Sequence, residues 1–302
     1  MNSKIMSKNI LITGANGALA QKLIEKYNNK SQYNITASTR NIQNLKTRLA
    51  GVNYINNTDL IETEILKNID IVVNCAFPRT EDIKAMHEAM LFYKCLVLKS
   101  IDMGTKGFIN ISSQSVYGSY RETPSYEIND LNPEDIYALT KCLMEDIGWA
   151  LAKDTPLKLT SIRLASLIGV EYPERVINKM IKFGQQNRKI TVQNDKNIFG
   201  YLDIEDAAEG IYQFIKNSDI EKWKAIYNFG VKPDYSQNLA FIAKEIKKLF
   251  EKRNIKIELE IIKKEKADKL QIMNSKWFYE DSNWQPKITL EKSIEKIFFA
   301  ER

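Results

Sequence analysis

The sequence predicts an α/β fold: a doubly wound parallel sheet over residues 1–166, then a smaller α+β lobe over residues 167–302, parts of which are free to return to the first body. Three observations predict it. Short apolar runs alternate with helical spacing through the first half, the pattern of βαβ units. The first of these runs opens directly into a glycine-bearing turn and a helix. The alternation then breaks down after about Leu167.

Taken in order, strands are expected at 9–13, 34–38, 52–55, 69–74 and 107–112, with a sixth at 157–164. Helices are expected at 18–27 and 83–103, and from near Glu134 to Lys153. Asn132-Pro133 reads as the cap and first position of that third helix. In the lobe, helices at 173–185, 205–216 and 236–250 are interleaved with isolated strands at 225–229 and 256–262. No repeat or low-complexity linker separates the two parts, so a broad interface with a cleft is expected.

Composition narrows the function. With 302 residues, 44% hydrophobic and 27% charged, the chain has the makeup of a globular protein. No apolar run approaches the ~20 residues of a membrane span, and residues 1–8 lack the apolar core of a secretory signal, so a cytoplasmic location and no membrane partner are expected. Cys75, Cys95 and Cys142 are far apart with no CxxC pairing, and His87 is the single histidine, which excludes a disulfide framework and multi-histidine metal or triad chemistry. The net charge of +6 is dispersed among alternating Lys and Glu, so no nucleic-acid partner is expected.

Strand 1 runs into Thr13-Gly14-Ala15-Asn16-Gly17-Ala18-Leu19-Ala20 and then a helix, the context a dinucleotide pyrophosphate requires. Gly14 permits the tight turn, Gly17 lets backbone approach phosphate, and Asn16, Ala18 and Leu19 complete the expected contact set at the helix N-terminus. Ala20 stands where a third glycine is common and is small enough to pack on the strand. Strand 2 ends Ser38-Thr39-Arg40 with no carboxylate for a ribose 2′-hydroxyl; Arg40 can pair with a 2′-phosphate, which favours NADP(H) over NAD(H), or be a plain surface charge. Asp59, with Leu60, is placed to meet the adenine edge, or Asp59 is a helix cap. Cys75 and Ala76, at the end of strand 4, complete the expected cofactor wall.

Tyr137-Ala138-Leu139-Thr140-Lys141 sets a phenol and an ammonium one turn apart on a helix face, where the lysine lowers the tyrosine pKa for proton transfer near neutrality. Strand 5 ends in Ser112-Ser113-Gln114-Ser115, at the carboxyl edge where ligands gather, and Ser113 can donate to a reacting oxygen. Tyr137 and Lys141 also stand among the expected cofactor contacts. Ser113, Tyr137 and Lys141 are the expected catalytic residues.

These residues resemble the NAD-dependent epimerase/dehydratase family, the extended short-chain dehydrogenases, over nearly the whole chain. Thr13–Ala20 is similar to the family's TGxxGxxG loop, Asn74-Cys75-Ala76 to its strand 4 end and Ser161-Ile162-Arg163-Leu164 to its strand 6. Tyr201-Leu202-Asp203-Ile204-Glu205-Asp206-Ala207 is similar to its substrate-lobe motif, and Trp284-Gln285-Pro286-Lys287 with Leu290-Glu291 to its tail. The resemblance implies a Rossmann-like domain, a substrate-binding lobe for sugar nucleotides, and often a homodimer through the helices at 83–103 and 134–153. Ser166 stands where the family often has an asparagine on the substrate phosphates, and Phe199 or Gly200 where it often has an arginine. Arg175, Lys179 and Lys182 share a helical face and are candidate replacements, or form a solvated basic face.

Arg40 tilts the expected reaction towards an NADPH-dependent reductase of a 4-keto nucleotide-linked deoxysugar. The alternatives are a nucleotide-sugar epimerase holding NAD, a dehydratase, which usually carries Asp-Glu where this chain has Gln114-Ser115, and an NADPH reductase of a small non-sugar carbonyl. A non-catalytic dinucleotide sensor would show a broken Tyr/Lys pair, and here the pair is intact.

Overall fold

The computed structural model describes residues 7–78, 80 and 82–300. The polar start read from residues 1–6 therefore lies outside the described residues. The first half runs β1 (Lys8–Thr13), α1 (Ala18–Asn28), β2 (Tyr33–Thr39), β3 (Asn53–Asn56), α2 (Asn57–Glu62), β4 (Ile71–Asn74), α3 (Ile83–Asp102), β5 (Gly107–Ser113), α4 (Ile136–Ala152) and β6 (Lys158–Leu164). There follow β7 (Ser166–Ile168), α5 (Val176–Asn187), β8 (Lys189–Gln193), β9 (Ile198–Phe199), β10 (Tyr201–Asp203), α6 (Ile204–Asn217) and β11 (Ile226–Phe229). The chain continues through β12 (Gln237–Asn238), α7 (Leu239–Lys252), β13 (Glu258–Ile262), β14 (Leu270–Gln271), α8 (Lys276–Ser282) and α9 (Leu290–Ala300). Among the described residues no helix is long and apolar enough to cross a membrane.

Seven strands make one parallel, Rossmann-like sheet in the order β11-β6-β5-β4-β1-β2-β3. Ile10, Leu11 and Ile12 on β1 and Ile71, Val72 and Val73 on β4 are fully buried, because helices cover both faces of a parallel sheet. Residues of α1 and α6 fill one side and residues of α2, α3 and α4 the other. The chain winds outward in both directions from β1 and β4, which opens a crevice at their carboxyl ends.

One polar row crosses this apolar sheet. Thr13, Asn74, Asn110 and Ser161 stand side by side in register on β1, β4, β5 and β6 and are buried. Thr13 Oγ1 donates to Asn74 Oδ1 (2.7 Å), Asn74 Nδ2 to Asn110 Oδ1 (3.3 Å), and Asn110 Nδ2 to Ser161 Oγ (3.1 Å). Each partner satisfies the next, which is what makes their burial tolerable. Thr13 Oγ1 also accepts from Ala76 N (3.2 Å), tying the end of β4 to the start of the glycine turn.

The structure departs from the expected layout in both halves. The strand at 225–229 is not isolated in the lobe: β11 pairs with β6 and closes the edge of the main sheet. Packing of α6 on α1 carries the chain back there, and Phe278 of α8 then stacks on Phe229 at 3.9 Å. Helix α4 begins at Ile136, with Asp135 as its cap accepting from Ala138 N (2.7 Å), rather than at Pro133. Residues 132–134 are engaged elsewhere, Asn132 N donating to Val116 O and Glu134 Oε1 accepting from Ser119 N.

The rest of the lobe has its own apolar centre, with Ile181, Ile246, Phe250 and Ile297 buried between α5, α7 and α9. The tail is tied down by aspartates of the 201–207 segment. Asp206 Oδ2 accepts from Lys287 N (2.7 Å) and Ile288 N (2.6 Å), and Asp203 Oδ2 accepts from Ser293 Oγ (2.6 Å).

Candidate active site

Gly14 sits at φ +71°, and a side chain there would bring its Cβ to 3.0 Å from the backbone of Cys75 and Ala76. Only glycine lets β4 come this close to the turn. Gly17 caps α1 in extended backbone, with no side-chain cap and no acidic residue in the helix's first turn. The first-turn N–H groups have no partner inside the helix, so Ala18 and Leu19 present a positive end to an anion. A cavity of about 500 Å³ opens here, walled by Gly14, Asn16, Gly17, Arg40, Cys75 and Ala76. The Asn16 amide bridges the two banks, donating to Asn44 O (3.2 Å) and accepting from Lys46 N (3.2 Å). A dinucleotide fits this cradle: the pyrophosphate would meet backbone N–H groups, and an exposed Arg40 closes the far rim.

A second cavity, of about 480 Å³, shares Gly17, Cys75 and Phe77 with the first and is lined by Ala18, Leu19, Ser113, Tyr137 and Lys141. Tyr137 and Lys141 lie in the first two turns of α4, with the Lys141 Nζ 5.9 Å from the Tyr137 ring centre. Lys141 is buried, donates to Ile111 O (2.7 Å) and lies 4.3 Å from the Phe77 ring centre. Burial pulls its ammonium down to about 8, against the pull of the nearby Glu145 carboxylate, while burial pushes the Cys75 thiol up to about 12 and keeps it neutral. Ser113 Oγ accepts from Ser115 N (3.2 Å) and Ser115 Oγ (3.0 Å). With its lone pairs taken, its own proton is directed to another acceptor.

Behind these groups lies a buried ion pair. Glu145, one turn beyond Lys141 on α4, receives Arg163 of β6 through both oxygens (2.6 Å at the shortest) and Ser112 Oγ (2.5 Å). Arg163 also donates to Tyr117 Oη (2.7 Å), which in turn donates to Asn228 Oδ1 (2.8 Å). This network locks the carboxyl ends of β5, β6 and β11 and so holds Ser113 in place.

A model of the NAD dependent epimerase/dehydratase family matches residues 10–230. The chain belongs to this family. It is thus an enzyme of the extended short-chain dehydrogenase type. It is 24% identical over 318 residues to human dTDP-D-glucose 4,6-dehydratase, spanning 96% of this chain and 89% of that protein. Against UDP-glucose 4-epimerase of Vibrio cholerae it is 32% identical over 175 residues, 54% of this chain and 53% of that protein. Its fold is shared by dTDP-glucose 4,6-dehydratase from Bacillus anthracis in complex with NAD (TM-score 0.81, 19% identity, 98% and 97% of the two chains). UDP-N-acetylglucosamine 4-epimerase from Bacillus cereus shares it too (TM-score 0.79, 21% identity, 97% and 96% covered).

Within this family member, several expected contacts lie away from the cavities. Leu60 is fully buried in the core, and Asp59 turns to Asn56, accepting from Nδ2 (3.1 Å), because both sit on the short α2 rather than beside the nucleotide groove. Asn57 lines that groove instead. Of the basic trio, Arg175 lines the second cavity, Lys179 pairs with Glu174 (3.3 Å), and Lys182 is exposed. Lys269 and Gln271, which sequence reading passed over, reach the cavity because β14 pairs with β9 and Leu270 N donates to Ser119 O (2.9 Å). Gln114, adjacent to Ser113, joins them.

Proposed function

We propose that this enzyme is a nucleotide-sugar epimerase using a nicotinamide dinucleotide, with Ser113, Tyr137 and Lys141 as its catalytic residues. The observation that carries this reading is the meeting of the two cavities at Cys75 and Phe77, with all three side chains on the wall of the second. Gly14, Gly17, Ala18, Leu19 and Ala76 would hold the dinucleotide, with Arg40 at its adenosine end. When bound, that group supplies the acceptor and donor of hydride. Ser113 donates a hydrogen bond to the reacting sugar oxygen and orients it. Tyr137 takes the hydroxyl proton as the carbon becomes a carbonyl and returns it on reduction. Lys141 stabilises the phenolate between those events. Arg175 and Lys269 supply positive charge for a substrate diphosphate.

Elimination of water needs an acid and a base beside the sugar, and the neutral Gln114 and Ser115 supply neither. Glu134 and Asp135 also line the cavity, each holding one backbone N–H, of Ser119 and of Ala138, through one carboxylate oxygen. This favours epimerisation over dehydration, and the Vibrio cholerae relative's name supports C4 as the carbon. The second reading, an NADPH-dependent reductase of a 4-keto nucleotide-linked deoxysugar, is favoured by Arg40 on the cavity wall. For assembly we propose a homodimer, supported by Leu91 and Leu98 of α3 and Leu139, Leu143 and Trp149 of α4, all exposed on two helices that pack together.

Identifying the nucleotide retained by the purified protein, then titrating NAD⁺, NADH, NADP⁺ and NADPH, separates the two readings. Retained NAD⁺ with no preference for NADP(H) fits the epimerase. Freely exchanging NADPH whose affinity drops in Arg40→Asp transfers the assignment to the reductase.

A further inference from the structure

Gln114 is 7% exposed, follows Ser113 directly and belongs to no part of the mechanism above. Its amide donates to Ser166 Oγ (2.9 Å) and to Gln271 Oε1 (3.4 Å), joining the ends of β5, β7 and β14 across the wall of the second cavity. Both of its N–H groups are thereby used, whereas among the described residues no donor meets its carbonyl oxygen, and the residue lines the cavity. The groups left over are an acceptor on Gln114 and donors on Ser166 and Gln271, with no formal charge among them.

We propose that Gln114, Ser166 and Gln271 form a neutral subsite for the sugar of the nucleotide-linked substrate, one that selects hexoses bearing hydroxyl or N-acylamino groups over hexuronic acids. This rests on the nucleotide-sugar reading of the same cavity. A hydroxyl or an amide N–H can donate to the Gln114 oxygen while an adjacent oxygen accepts from Ser166 or Gln271. A carboxylate carries acceptors only, so it leaves the Gln114 oxygen facing another oxygen in a desolvated wall. Selectivity of this kind comes from the mismatch imposed on the wrong ligand as much as from contacts with the right one.

The test is a calorimetric titration of the NAD⁺-saturated protein with UDP, dTDP, GDP and CDP and with the glucose, N-acetylglucosamine and glucuronic acid conjugates of whichever base binds. Wild-type protein should bind a neutral conjugate more tightly than the bare diphosphate, and the glucuronic acid conjugate more weakly than the neutral one. Gln114→Ala and Gln271→Ala should each raise the Kd of the neutral conjugate about three- to tenfold and leave that of the bare diphosphate unchanged. Diphosphate binding in each variant doubles as the check that it is folded. An unchanged ratio of conjugate to diphosphate in both variants, or equal affinity for the glucuronic acid conjugate, overturns the subsite while sparing the nucleotide-sugar reading. Failure of every nucleoside diphosphate and conjugate to bind overturns both.

Discussion

Tyr137 and Lys141 declare themselves through spacing alone, because i and i+4 on a helix must share a face, and Ser113 through its place at the end of a strand. Lys269 and Gln271 do not: Gln271 meets Gln114 across 157 positions of sequence, and no local pattern encodes that contact. Tyr137→Phe should lower kcat by about two to four orders of magnitude while leaving nucleotide affinity within about twofold, since only proton transfer is removed. Lys141 offers a test by pH. Its ammonium titrates at about 8 in the folded chain against 10.5 when exposed, so the unfolded state binds the proton more tightly. The cost of holding the charge inside is complete below pH 8 and is relieved as pH rises towards 10.5. Lys141→Met removes that cost. In urea unfolding, the variant's stability relative to wild type should be greatest below pH 8 and decline by about 3 kcal/mol by pH 10.5.

At the level of elements, the apolar runs of β1, β4, β5 and β6 and the glycine turn between β1 and α1 were legible, since each carries a strong local signature. The short strands β7, β9, β10, β12 and β14 were not. They span two or three residues each, too few to show a period, and form only when distant segments meet. The start of α4 was misplaced for a related reason: Pro133 is a good first helical residue, but tertiary bonds at Asn132 and Glu134 hold that segment outside the helix. Gly14→Ala should cost roughly 1–2 kcal/mol from its left-handed backbone alone. The Cβ would also push β4 away from the turn, so dinucleotide affinity should fall by about tenfold or more, read by calorimetry. Glu145→Ala strands the buried Arg163 guanidinium and should destabilise by about 3–5 kcal/mol, whereas Glu145→Leu with Arg163→Met should lose much less, as urea unfolding will report.

For the whole molecule, the doubly wound sheet follows from composition and alternation, while the return of β11 and α8 to its edge follows from the aromatic packing of Phe214, Phe229 and Phe278, which no single stretch of sequence reveals. The exposed leucines of α3 and α4 make an assembly testable: Leu139→Glu with Leu143→Glu should convert a sedimenting dimer to a monomer, and a wild-type monomer would remove that proposal. We propose that the groups gathered where the two cavities meet carry out reversible oxidation of a nucleotide-linked sugar. The most direct test is proton NMR of nucleotide-linked hexoses incubated with the NAD⁺-loaded enzyme and, in parallel, with Tyr137→Phe. Inversion at one ring carbon by the wild-type protein, lost in the variant, is the expected result; inversion at the same rate in the variant, or no change in any hexose by a wild-type protein saturated with NAD⁺, would contradict it.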